Sequence, residues 1–109
     1  MSDLAKTPKP PYYAVIFTSL RTDGDNGYEE MASEMVELAK EQPGFLGIES
    51  AREPSDLGIT VSYWDSEEAI LQWQQNARHR IAQTLGREQW YESFVTRVSK
   101  VERAYTFER

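Results

Sequence analysis

His79 is the single histidine of the 109-residue sequence, and histidine is the residue whose ordinary pKa lies near neutrality. On a helix facing a sheet, it would serve as a general base or as an axial ligand. Its neighbours Gln74, Gln75, Asn76, Arg78 and Arg80 are polar, so a capping or surface histidine is the plainer alternative. With no cysteine, the chain has no thiolate nucleophile, disulfide framework or thiolate-bound metal. One histidine also excludes a multi-histidine metal site, and neither metal nor cofactor is expected. Carboxylates are numerous, but Glu29, Glu30, Glu34 and Glu37 fall on the outward side of a helical pattern and read as a solvated face. The six glycines form neither a dinucleotide fingerprint nor a phosphate loop.

The balance of 18 acidic against 12 basic residues gives a formal net charge of −6. Basic residues are scattered among acids rather than gathered in a stripe, which argues against nucleic acid as a partner. No apolar run approaches the roughly 20 residues that span a bilayer, so no membrane association is expected. Residues 1–11 carry prolines and lysines but no apolar core, and read as a disordered lead-in rather than a secretory signal. A cytoplasmic protein with one domain over residues 12–109 is the expectation.

Tyr12–Leu20 is apolar in both alternating phases and reads as a strand. The turn cluster Arg21–Gly27 precedes a helix from Tyr28, capped by Asp25 or Asn26 with Glu29 as partner. Met31, Ala32, Met35, Val36 and Ala39 form its apolar stripe, and Pro43-Gly44 ends it. Phe45–Glu53 and Leu57–Trp64 read as a hairpin around Pro54-Ser55-Asp56. A second helix begins at Asp65 or Ser66, with Asp65 and Glu68 at capping-box spacing, and places Ala69, Ile70, Trp73 and Ala77 on one face. Further helix is expected through Ile81, Ala82 and Leu85, with a break or close approach at Gly86. Tyr91–Phe107 alternates and reads as a long final strand extending past the core.

The order β-α-β-β-α-β is the split βαβ unit, giving an α+β, ferredoxin-like fold with an antiparallel sheet. Right-handed crossovers place both helices on one face and leave the other bare. Tyr12–Leu20 is apolar in both phases, and Leu57, Ile59, Val61 and Tyr63 share one phase of their strand. A bare apolar sheet marks an interface. The expectation is therefore a homodimer whose two sheets close face to face into an α+β barrel.

Three stretches resemble the antibiotic biosynthesis monooxygenase family of dimeric α+β barrels: EQPGFLGIES (Glu41–Ser50), SYWDSEEAILQW (Ser62–Trp73) and NARHRIAQTLGREQWYESFVTRVSKVER (Asn76–Arg103). The likeness runs from Tyr12 to Glu108. It implies a cofactor-independent oxygenase acting on a small aromatic or quinone-like compound, in which the deprotonated substrate itself reduces O₂. Such a reaction calls for an aromatic pocket, a base, and a cation or donor for the developing anion. By that resemblance Phe17, Tyr63, Trp64, Trp73 and Trp90 are candidate walls, and His79 is the candidate base. Arg78 or Arg87 would steady the anion, with Asn76 or Tyr13 positioning it. Core packing is the alternative for each aromatic, and a hinge role is the alternative for Trp90. Haem-degrading relatives carry a histidine ten residues after a tryptophan and an asparagine in the first strand. Here the former position is Gln83 and Tyr12–Leu20 has no asparagine, so haem cleavage is not expected. A non-catalytic dimer that binds a small apolar ligand is the alternative function.

Overall fold

The core that Val15 shares with both helices decides which of the two apolar phases of the first strand they cover. The computed structural model describes residues 4–25, 27–54, 56–82 and 90–109, with the side chains of 79–82 excluded. The elements are β1 (Tyr12–Arg21), α1 (Tyr28–Lys40), β2 (Phe45–Arg52), β3 (Leu57–Trp64), α2 (Glu67–Ala82) and β4 (Tyr91–Val101). They form one antiparallel sheet in the order β2-β3-β1-β4. This is the ferredoxin-like α+β arrangement that the element order implies.

Val15 joins Ala39 of α1 and Trp64, Ala69 and Ile70 in the buried core, with Tyr13, Phe45 and Trp73 packed against it. The odd phase of β1 (Tyr13, Val15, Phe17, Ser19) therefore faces the helices, and both helices lie on that side. Their main contacts are with β2 and β3. On the rear face, Ile16 and Thr18 are half-buried, and Leu20, Leu57, Ile59 and Val95 are 37–43% exposed.

The start of α1 differs in detail from the expected capping box. Gly27 is the N-cap at φ +84° and has no side chain to cap with. Asp25 supplies the carboxylate instead, accepting the N–H groups of Gly27 (3.0 Å) and Glu29 (3.3 Å). Asn26, the other expected cap, lies outside the described residues. At α2 it is Ser66 that caps, its Oγ accepting the Ala69 N–H at 3.1 Å.

Gly44, at φ +87°, turns the chain into β2 and offers its carbonyl to the Asp65 N–H at 2.9 Å. A Cβ there would run into Asp65 and Ala69. Gly44→Ala is therefore expected to destabilise the fold by about 1–3 kcal/mol, read as a lower urea midpoint with an unchanged slope.

β4 ends at Val101, not at Phe107 as the alternation suggested. Val101 pairs with Tyr12, the first residue of β1, and the residues before it are Pro10 and Pro11, which have no N–H to offer. Residues 102–109 continue as an exposed arm, on which Tyr105 and Phe107 are 85% and 81% exposed.

Residues ahead of β1 lie along part of the rear face. The Ala5 N–H donates to Glu49 Oε2 at 2.9 Å, and Thr7 Oγ1 donates to the Tyr12 hydroxyl at 2.8 Å. Ala5 lies close enough to Gly47 that a Cβ there would meet it. None of the helices among the described residues is long and apolar enough to cross a membrane.

Candidate functional site

Two aromatic clusters occupy opposite ends of the helix-facing side. The first gathers three expected site residues. Trp64 is fully buried, meets Phe45 edge-on at 5.5 Å and stacks on Trp73 at 5.9 Å. Its Nε1 donates to Ser62 Oγ at 2.9 Å, so the indole has no polar atom left for a ligand. Tyr13 packs against the same group. These residues form core, with Trp73 only partly covered.

The remaining expected residues do not converge on that point. Tyr63 precedes Trp64 on β3 and so points to the rear face, where it meets Tyr12 edge-on at 5.8 Å and donates to Glu49 at 2.7 Å. Asn76 Nδ2 donates to Gln42 Oε1 at 2.8 Å, tying α2 to the end of α1. Arg78 is exposed on α2. Trp90 is buried, and its carbonyl accepts the Thr22 N–H at 2.9 Å and Arg21 Nε at 3.3 Å. The backbone of His79 belongs to α2, but its side chain, like all of Arg87, lies outside the described residues.

Phe17 leads to the second cluster, which the sequence reading missed. Phe17 meets Tyr91 at 5.5 Å and Phe94 at 5.3 Å, and Tyr91 meets Tyr28 edge-on at 5.8 Å. Two guanidiniums share the Tyr28 ring: Arg21 stacks on it at 3.6 Å and Arg52 lies 5.5 Å away. Arg52 Nη2 donates to Ser19 Oγ (3.1 Å) and to the Tyr28 hydroxyl (3.2 Å), and Nη1 donates to the Asp56 carbonyl at 2.6 Å.

The register explains how Arg52 reaches inward. Arg52, Gly58 and Ser19 lie opposite one another across β2, β3 and β1. The guanidinium lies across Gly58, where a Cβ would fall on it. The available sequence signal was a glycine inside a strand, which marks a close approach.

Between the clusters runs a strip of β1 and β4 on the helix side. It contains Phe17, Phe94 and Val98, of which the last two are 40% and 48% exposed. Val98 sits opposite core Val15, and Phe94 opposite buried Ser19. Apolar side chains are thus left open beside a core that excludes water, with cations at one end. A flat apolar molecule carrying a polar group fits such a strip. No group of three or more His, Cys, Asp or Glu side chains among the described residues is placed to hold a metal ion.

The tyrosine hydroxyls near these features hold their protons tightly. Burial, then the neighbouring Tyr28 charge and hydrogen bond, raise Tyr91 well above the ordinary tyrosine value, against a lowering pull from Arg52 and Arg21. Burial and the hydrogen bond to Glu49 raise Tyr63 likewise. Both groups ionise more readily in the unfolded chain than in the folded one. Their stabilisation is complete below about pH 10 and declines as pH rises through that value toward the folded ones. Melting temperature is expected to fall steeply above about pH 10, and less steeply in Tyr63→Phe.

The chain matches the antibiotic biosynthesis monooxygenase family over residues 11–85. It belongs to that family. The uncharacterized protein YqjZ of Bacillus subtilis (strain 168) is 55% identical over 108 residues, covering 99% of this chain and 95% of YqjZ. Among solved structures, SnoaB from Streptomyces nogalater, a cofactor-independent oxygenase, superposes with TM-score 0.66 at 13% identity, covering 92% of this chain and 100% of SnoaB. A Shewanella oneidensis protein superposes with TM-score 0.72 at 12% identity, covering 91% of this chain and 98% of that one. At such identities the structures establish the shared fold. This family member keeps its own set of side chains on that frame.

Proposed function

We propose that this member of the antibiotic biosynthesis monooxygenase family is a cytoplasmic, cofactor-independent oxygenase of small aromatic or quinol-type compounds, working as a homodimer through its domain at 12–109. The observation that carries the reading is the open aromatic strip of Phe17, Tyr91 and Phe94, which ends beside two guanidiniums. In this reading the substrate lies flat on the strip and gives up a proton to His79, and the resulting anion passes its electrons to O₂. The protein's part is to hold the ring, exclude water and steady the anion.

Pairing is supported by the rear face. Leu20, Leu57, Ile59 and Val95 are too exposed there for a lone soluble subunit, and Tyr105 and Phe107 are bare on the arm beyond β4. A second copy would cover both.

The test is oxygen uptake with a panel of naphthoquinols. Wild type is expected to consume O₂ above the buffer rate with at least one of them, and His79→Ala to lose about 10²–10⁴-fold of that rate, the usual contribution of a general base. No uptake with any quinol removes the oxygenase reading. One observation favours ligand binding without turnover: among the described side chains beside the strip, Tyr28, Tyr91 and the arginines are hydrogen-bond donors, and none is a base. A ligand that raises the melting temperature and is recovered unchanged would support that second reading.

A further inference from the structure

We propose that Arg52, with Arg21 and the hydroxyls of Tyr28 and Tyr91, forms a receiving site for an anionic oxygen, so that the ligand is an aromatic acid or phenol bound as its anion. The inference rests on the reading that the helix-side strip holds a small aromatic molecule, and names the chemistry of the group that molecule must carry.

Two cations are gathered around one ring in a chain whose net charge is −6. Their hydrogen bonds run to the carbonyls of Gly24, Asp25, Asp56 and Trp90, to Ser19 and to Tyr28. Backbone carbonyls and hydroxyls fix where a guanidinium sits without neutralising it. The guanidiniums are therefore held in place by groups that carry no charge, with Asp23, Asp25, Glu53 and Asp56 beside them, among the described residues, on the outer side alone.

The positioning is specific. Arg52 lies inboard only because Gly58 has no side chain, and it anchors on a serine hydroxyl that is itself buried. Tyr28 and Tyr91 meet edge-on at 5.8 Å, and Tyr91 also touches Phe17 and Phe94. Tyr91 thus joins the apolar strip to the cationic end. A flat ring lying on Phe17 and Phe94 would bring its oxygen to the tyrosine hydroxyls and the guanidinium fork. Burial keeps Tyr91 protonated, which makes it a donor to an oxyanion.

On the outer, loop side, Arg21 and Arg52 line a depression together with Asp23, Asp25, Glu53 and Asp56. Those carboxylates disfavour an anion arriving from that side. Among the described residues, the aromatic strip is the apolar approach.

Calorimetric titration with 2-naphthoate, its methyl ester and 2-naphthol tests the assignment. Wild type is expected to bind naphthoate roughly tenfold tighter than the ester, the usual worth of a charge-assisted hydrogen bond. If the natural group is a phenol, 2-naphthol binds tighter than the ester and releases a proton, detected by repeating the titration in buffers of different ionisation enthalpy. Arg52→Gln should abolish the preference, and Arg52→Lys should reduce it, because a point charge cannot replace the fork. Gly58→Val keeps every charge but evicts the guanidinium, and should also abolish it. A preference that survives in Arg52→Gln overturns the proposal. Ester binding with no advantage for either acidic probe also overturns it, and leaves the aromatic-ligand reading standing. Failure of all three probes to bind wild type removes both.

Discussion

Trp64→Ala is expected to cost about 4–5 kcal/mol of folding stability, near the top of the range for a buried tryptophan. The indole is fully buried between Phe45 and Trp73, at the point where β3 meets α2. Its removal opens a cavity that neither ring can fill, because each is held by its own strand or helix. It also strips the buried Ser62 hydroxyl of the Nε1 donor at 2.9 Å. Against a total stability of about 5–15 kcal/mol for a small domain, most of the margin would go. Urea denaturation followed by circular dichroism should place the variant's midpoint far below that of wild type. Trp64→Phe, which keeps a ring in the space, should lose less than half as much. A Trp64→Ala variant within about 1 kcal/mol of wild type would mean that the core lies elsewhere.

The second large effect falls on assembly rather than folding. Ile59 is 42% exposed on the rear face, so Ile59→Glu should barely disturb an isolated subunit. Between two apposed sheets, the same carboxylate would be buried without a partner, once from each subunit. At about 2 kcal/mol apiece, a conservative cost for a desolvated unpaired charge, the pair weakens about a thousandfold. Sedimentation equilibrium should find wild type paired and Ile59→Glu dissociated at micromolar concentration, with unchanged circular dichroism. Leu57→Glu, on the same face, should behave alike. Val15→Glu provides the contrast: Val15 lies in the helix-side core, and a charge there should unfold the subunit itself.

Much of the frame could be read from the residues because its signals are periodic. Tyr12–Leu20 is apolar in both phases, which reads as a strand covered on both sides; on the rear side Tyr12 and Ala14 are buried, Ile16 and Thr18 half-buried and Leu20 exposed. The helix stripe from Met31 to Ala39 and the Pro43-Gly44 stop bracket α1, which starts at Tyr28 as expected and ends at Lys40, three residues before Pro43. What a single strand cannot reveal is which phase meets the helices, since both phases of β1 are apolar; the buried cluster that holds Val15 together with Ala39 and Ile70 decides it. The end of β4 was overextended because alternation persists to Phe107 after the neighbouring strand has run out at Tyr12.

The candidate site was less legible. Tyr63 and Trp64 were grouped as walls of one pocket, although consecutive strand residues point to opposite faces. Arg52 carried no signal of its own, because its contact with Ser19 spans 33 residues and depends on the register of three strands. Gly58 was visible as a strand glycine, but its meaning required knowing that Arg52 lies opposite. The contact between Ala5 and Glu49 likewise joins residues 44 apart and left no local mark.

A crystal structure of the protein soaked with 2-naphthol or 2-naphthoate tests most directly where this family member does its work. The account predicts one ring per subunit lying along Phe17, Tyr91 and Phe94 on the helix side of β1 and β4, with its oxygen toward Tyr28 and Arg52. A ring seated on the rear face beside Tyr63 and Glu49, or in the space next to Trp73 alone, would contradict it.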